Sequence, residues 1–274
     1  MSRFICPVCK KPLCDCGTSY KCENNHCFDK SKFGYVNLLR SNQSSAKRHG
    51  DDRVMVRARR DFLDRGYYSF LKDKLSEICV KELPDNSFIL DSGCGECYYS
   101  SEITKALNEN GKSAEVFGVD ISKDALEFAS KRKSGVTTAV ASVFNMPFAD
   151  SAFDAVLNVF SPEAFGEFAR VLKKDGILIR VIPLERHLLE LKELIYETAY
   201  LNEVAEKQIE GFELVEESVL EEKLVISTNE DLINLFKMTP YYYKTGRDDQ
   251  AKVMSVDSLD LTAQFCVRVY RKED

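Results

Sequence analysis

The chain predicts an α/β fold: an open, mostly parallel sheet with a small metal-stapled module at its N-terminus. Three observations lead there. From about residue 86 onward, strand-like and helix-like segments alternate, as parallel sheets with crossover helices require. Six of the ten cysteines fall within the first 27 residues. A glycine-rich turn, "LDSGCGECYY" (90–99), joins one apolar strand to a helix.

The elements follow in order. Residues 1–37 are turn-rich and lack helical period, and form the module. Residues 38–85 hold a polar stretch, "RSNQSSAKRHGDD" (40–52), and then two helices between Val54 and Val80, broken around Gly66. Residues 86–274 form the main domain. "SFILDS" is its first strand, and "SSEITKALNEN" a helix ending near Gly111. "AEVFGVD" is the second strand, followed by the helix "SKDALEFASKRK" with Ser122 as N-cap. "VTTAVAS" and "FDAVLNVF" give two more strands. "EAFGEFARVLKK" is a helix closed by Asp175-Gly176, and "ILIRVIP" a fifth strand. A long amphipathic helix is expected over about Arg186–Glu206. A strand near Phe212–Ile226, a helix near Asn229–Lys237 and a last strand "LTAQFCVRVY" complete the chain, the two strands forming an antiparallel hairpin at the sheet edge.

Composition narrows the class. At 44% hydrophobic and 30% charged residues the chain is globular rather than disordered. No apolar run approaches the roughly 18 residues of a membrane span. "MSRFICPVCK" lacks the apolar core of a signal peptide, so a cytosolic location is expected. Disulfides are disfavoured there, and clustered cysteines then point to metal. The net charge of −6 is unevenly spread: residues 1–65 carry 14 Lys and Arg against 7 Asp and Glu, leaving −13 for the rest. Arg40, Lys47, Arg48, Arg53, Arg57, Arg59, Arg60 and Arg65 are the densest group. Charge alone fits two readings, an electropositive nucleic-acid face or a solvated helix paired with acids such as Asp61 and Asp64.

The spacing Cys6-x2-Cys9-x12-Cys22-x3-His26 supplies three thiolates and an imidazole for a tetrahedral Zn²⁺. A full shell leaves no open position, so the metal is structural. Cys14, Cys16 and Cys27 also lie within reach, and Cys27 could stand in for His26.

Read as a dinucleotide fingerprint, Gly93-x-Gly95 needs a third glycine where Tyr98 stands. Read as acidic-x-Gly-x-Gly it gives Asp91, Gly93 and Gly95, the first motif of class I (Rossmann-like) methyltransferases that use S-adenosylmethionine. Side chains at 93 and 95 would obstruct the cofactor's amino-acid end and sugar. Asp120 closes the second strand, a carboxylate placed for both ribose hydroxyls. "VASVFNMPF" follows the third strand, where the adenine would lie.

Nearly the whole chain resembles the bacterial large-subunit ribosomal RNA guanine-N1 methyltransferases. The matching stretches are "CPVC" with Cys22-x3-His26, "GYVNLL" (34–39), "ARRDFLDRGYY" (58–68), "LDSGCGECYY", "RHLLELKELIY" (186–196) and "MTP" (238–240). The resemblance implies that Cys6, Cys9, Cys22 and His26 bind zinc, and that Tyr68, Gly95, Glu96 and His187 match or adjoin cofactor contacts. It further implies a ribosomal RNA hairpin as substrate and a homodimer whose zinc modules help line an RNA-binding cleft. Where the family carries glycine this chain has Cys97, read as a small substitute rather than a nucleophile, because no base stands beside it. Transfer to N1 displaces a proton, so a general base is expected, with Asp61, Asp64 and Glu163 as candidates. Phe160-Ser161-Pro162, after the fourth strand, is where the target base should sit. A small-molecule methyltransferase and a non-catalytic RNA-binding protein are the alternative readings.

Overall fold

Short turn-bounded strands dominate the first 37 residues, and long apolar ones the remainder. The computed structural model describes residues 3–40 and 50–273; Lys47, Arg48 and His49 of the basic segment lie outside them. Strands β1 (Cys14–Asp15), β2 (Ser19–Lys21) and β3 (Cys27–Asp29) pair antiparallel as a small sheet. The next strand, β4 (Val36–Asn37), leaves that sheet and lies parallel to β7 (Thr137–Val140) at the edge of the main one.

The remaining elements are α1 (Arg53–Asp64), α2 (Ser69–Glu82), β5 (Ser87–Ser92), α3 (Tyr98–Glu109), β6 (Ala114–Asp120), α4 (Lys123–Arg132) and β8 (Phe153–Val159). After them come α5 (Phe165–Val171), β9 (Leu172–Pro183), α6 (Leu189–Ile195), β10 (Phe212–Ile226), α7 (Asn229–Met238), α8 (Tyr241–Lys244), α9 (Arg247–Met254) and β11 (Leu259–Lys272). The main sheet runs β10-β11-β9-β8-β5-β6-β7-β4, parallel except for the β10–β11 hairpin and its junction with β9. Chain order reverses between β5 and β8, which makes the crevice beyond their carboxyl ends the topological switch point. Among the described residues no helix is long and apolar enough to cross a membrane.

The cysteine-rich module is built onto the sheet rather than tethered to it. Phe4 is fully buried, stacked on Phe148 at 5.1 Å and edge-on to Phe117 at 5.7 Å. Ile5 N–H donates to Pro147 O, and Leu38 N–H donates to Val140 O. Module and sheet thereby share one apolar cluster, in which Cys6 and Cys22 are buried with Leu13 and Tyr20.

Two expected helices are shorter than their apolar periodicity implies. Over 186–206 only Leu189–Ile195 is helical. Beyond it, buried cationic side chains take carbonyls that a helix would have bonded internally. Lys192 donates to Tyr200 O, Arg180 to Glu206 O and Arg268 to Ala205 O. The helix expected to reach Lys174 stops at Val171, because Leu172 already pairs with Phe153 of β8; Asp175-Gly176 is a kink inside β9.

Candidate active site and zinc centre

Two tight turns gather the metal ligands. Lys10 N–H donates to Cys6 O and Asn25 N–H to Cys22 O, and Lys10 and Asn25 adopt the left-handed backbone that reverses the chain after each cysteine. The ligand atoms of Cys6, Cys9, Cys22 and His26 lie within 4.8 Å of one another. Tetrahedral zinc with Zn–S of about 2.3 Å and Zn–N of about 2.0 Å sets edges of about 3.8 Å between sulfurs and about 3.5 Å between sulfur and nitrogen. Observed are 3.7 Å from Cys9 Sγ to Cys22 Sγ, and 3.5 Å from His26 Nδ1 to both Cys6 Sγ and Cys22 Sγ. The backbone N–H of Lys11 draws the Cys9 thiol down to about 6, toward the thiolate that binds metal. Cys14, Cys16 and Cys27 are exposed and outside the cluster. The donor set fits one structural zinc.

At the switch point the loop 93–97 turns from β5 into α3 through left-handed residues Gly93, Gly95 and Cys97, the last at φ 64° and ψ 31°. Each glycine has its own reason. A Cβ on Gly93 would stand 2.4 Å from Ser161 Cβ, so this glycine admits the loop after β8 rather than a ligand. Ser161 is held there by donating to Ser92 O at 2.5 Å and accepting from Asn158 Nδ2 at 2.6 Å. A Cβ on Gly95 would meet nothing nearer than Arg59 Nη1 at 3.9 Å, so open space lies above it. Gly118 of β6 makes room for the Cys94 thiol, which a Cβ would approach to 2.7 Å.

Asp120 binds the loop to β6: Oδ2 accepts from Gly95 N–H at 2.9 Å and Oδ1 from Ser122 N–H at 2.7 Å. Each oxygen keeps a further lone pair for a ribose hydroxyl. Burial raises its pKa against these two bonds. The Asp91 carboxyl is buried beneath the loop and pushed up to about 7 by desolvation. Glu96 is also buried, but its side chain is spent: Oε1 accepts from Arg132 Nη2 at 2.7 Å, and the same guanidinium bonds Asp64 at 2.9 Å. The loop is thus fastened to α4 and α1, and Glu96 can offer a ligand only its backbone. Cys97 packs with Cys94, Leu126, Ala129 and Val140.

Tyr68 and His187 meet around Phe265 of β11. The ring centroids of Tyr68 and His187 lie 5.0 and 4.6 Å from Phe265, and 6.3 Å from each other; Phe160 approaches Phe265 to 5.0 Å. His187 Nδ1 accepts from Gln264 N–H, which places the ring proton on Nε2. Burial lowers its pKa to about 3, so the ring is neutral. The buried hydroxyls of Tyr68 and Ser92 have no hydrogen-bond partner, as expected where a polar ligand completes the site. With the bare backbone over Gly95 and the Asp120 carboxylate, the donor chemistry fits S-adenosylmethionine.

Comparison with known proteins agrees with both halves. A model described as "Methyltransferase domain" matches residues 83–239, and a zinc-ribbon model described as "RlmA, N-terminal" matches residues 4–47. A protein of Bacillus subtilis strain 168, provisionally named a 23S rRNA (guanine-N(1)-)-methyltransferase, is 32% identical over 99% of this chain and 98% of its own. The chain belongs to this methyltransferase family. The 23S rRNA (guanine(748)-N(1))-methyltransferase of Streptomyces fradiae is 34% identical over 68% of this chain and 65% of its own length. A provisionally named 23S rRNA (guanine-N(1)-)-methyltransferase of Micromonospora griseorubida is 28% identical over 97% and 95%.

Within this methyltransferase the three candidate bases are already paired. Asp61 accepts from Arg60 Nε at 2.9 Å, Asp64 from Arg132, and Glu163 from Arg180 Nε at 2.7 Å, with Arg180 itself buried. Much of the described basic segment is paired too, Arg53 with Glu127, Arg59 with Asp51 and Arg65 with Asp231, while Arg40 and Arg57 are exposed. A cleft of about 550 Å³ between α2 and α3, lined by Lys72, Glu77, Glu102 and Lys105 among others, involves none of the loop residues. Gly118 and Arg132 escaped sequence reasoning, and Ser161 and Arg59 were read for the target base and the basic face rather than for the loop they pack against. All four act on residues distant in the chain, and no local spacing marks them.

Proposed function

We propose that this chain transfers the methyl group of S-adenosylmethionine to N1 of a guanine in a hairpin of 23S rRNA. The observation that carries the reading is one body holding both a zinc ribbon and an acidic-x-Gly-x-Gly crest, joined through Phe4 and β4. S-adenosylmethionine supplies an activated sulfonium methyl when bound. Asp120 would accept from the ribose hydroxyls, Gly95 leaves the backbone bare beneath the cofactor, Gly93 admits Ser161 behind the loop, Asp91 lies beneath it and Cys97 shapes its exit. Tyr68 and the neutral His187 close the site from outside the sheet, and Glu96 holds the loop in register.

N1 lies on the Watson–Crick edge, so the guanine must leave its pair and stack to react. Phe160 suits the receiving surface: it is 46% exposed, holds a left-handed backbone at the carboxyl end of β8 and faces Phe265. Positioning then supplies much of the rate. The N1 proton leaves as the bond forms, and Asp61 is the candidate base whose ion-pair partner, the half-buried Arg60, lies on its own helix. A homodimer presenting two zinc modules to the RNA and a cytoplasmic location complete the reading.

The test is in vitro methylation of protein-free 23S rRNA by the zinc-loaded protein with labelled S-adenosylmethionine, followed by nucleoside mass spectrometry. 1-Methylguanosine as the labelled product supports the reading. Label in another nucleoside, or none in the RNA, refutes it.

A further inference from the structure

The loop 93–97 lacks free backbone donors at its centre. Gly93 N–H and Cys94 N–H are taken by Val119 O, and Gly95 N–H by Asp120. A carboxylate arriving above Gly95 finds no free N–H on Gly93, Cys94 or Gly95, which leaves a side chain as the stronger donor. Two guanidinium groups bear on Glu96 in this loop, Arg132 and Arg59. Arg132 is committed to Glu96 and Asp64. Arg59 is differently placed: it projects from α1 with Nη1 3.9 Å from the position of a Gly95 Cβ, and its charge also bears on Asp120 and Tyr99. Its Nη2 lies 3.5 Å from Met238 O, which fixes the head over the loop. Its carboxylate partner is Asp51.

Asp51 is held over the same crest. Its backbone O accepts from Ser122 Oγ at 2.6 Å, and Gly50, at φ 67°, packs so closely that a Cβ would come within 2.8 Å of Ile121 Cγ2. A carboxylate and a guanidinium thus stand together over Gly95 and beside Asp120. This is the charge pattern complementary to an α-ammonium and an α-carboxylate on one carbon.

We infer that Asp51 and Arg59 form the subsite for the amino-acid end of the cofactor: their ion pair opens, Arg59 takes the α-carboxylate and Asp51 the α-ammonium. No charge is left unpaired in the exchange, which keeps the cost of opening low. The inference rests on the cofactor reading above, and it moves Arg59 from the RNA face to the cofactor.

Calorimetric titration of the zinc-loaded protein separates the two. S-adenosylhomocysteine carries the amino-acid end; 5′-methylthioadenosine keeps the adenosine and sulfur but lacks it. Arg59→Gln is expected to weaken S-adenosylhomocysteine by about tenfold or more and to leave 5′-methylthioadenosine within about twofold. Arg59→Lys should recover part of the loss, and Asp51→Asn should show the same selectivity more weakly. Equal weakening of both ligands by Arg59→Gln, or no weakening of either, overturns the subsite while leaving the cofactor reading intact. Wild-type protein that binds neither ligand overturns both.

Discussion

Replacing Gly93 by Ala tests how the switch point is closed. Two penalties arise. The backbone at φ 78° is left-handed, which costs an L-residue about 1–2 kcal/mol. The new methyl would stand 2.4 Å from Ser161 Cβ and 2.9 Å from Ser161 Oγ. Ser161 cannot retreat without giving up Ser92 O and Asn158, and overpacking of this kind costs about 1–3 kcal/mol. Together the loss is about 2–5 kcal/mol. Urea unfolding of wild type, Gly93→Ala, Ser161→Gly and the double variant gives a thermodynamic cycle. Ser161→Gly removes the clashing atoms, and the next atom, the Cα, is an ordinary 3.7 Å away. The double variant should therefore be more stable than additivity predicts by about 1–3 kcal/mol, the steric share alone. Additivity within about 0.5 kcal/mol, or a Gly93→Ala loss smaller than that, would refute the contact as the reason for this glycine.

Other outcomes follow from the same geometry. Cys9→Ser should lose the zinc and lower the melting temperature of the whole chain by roughly 5 °C or more, because Phe4 and β4 tie the module to the sheet; Cys27→Ser should keep one zinc per chain by metal analysis. Asp120→Asn should weaken S-adenosylmethionine by about tenfold or more in calorimetry, since one oxygen no longer accepts from the ribose; unchanged affinity contradicts its assignment. Glu163→Gln should cost about 1–3 kcal/mol by unclamping Arg180, yet leave the methylation rate within a few-fold, against the 10²–10⁴-fold loss expected of a general base. His187, held near 3 by burial against an ordinary 6.5, binds its proton more readily unfolded. Its neutral ring therefore stabilises the fold fully above pH 6.5, and that contribution fades as pH falls toward 3; an NMR titration midpoint near 6.5 would contradict it.

Local signals carried most of the fold. The strands at Ser87–Ser92 and Ala114–Asp120, and the Ser122 cap accepting from Ala125 N–H, follow from hydrophobic period and capping within a few residues. The β10–β11 hairpin at the edge beside β9 was legible for the same reason. The shortened helix after Pro183 was not: Arg180 and Arg268 reach its carbonyls from neighbouring strands, and periodicity holds no trace of them. Nor was β4, a two-residue strand whose partner β7 lies a hundred residues away.

The site divides in the same way. The Cys6, Cys9, Cys22 and His26 cluster is readable because knuckle spacing is local, and the place of Asp120 against the glycine loop because it ends an apolar strand. Glu96 shows the limit: the family resemblance marks its position for the cofactor, but its carboxylate belongs to Arg132, 36 residues on. Gly93 looks like clearance for a ligand and turns out to be clearance for Ser161.

The central claim is methylation at guanine N1, and reverse-transcriptase primer extension on 23S rRNA from cells with and without this protein reads it directly. A methyl on N1 blocks pairing, so extension should halt one nucleotide before a single guanine only when the protein is present. Identical extension patterns across the whole 23S rRNA would contradict the account.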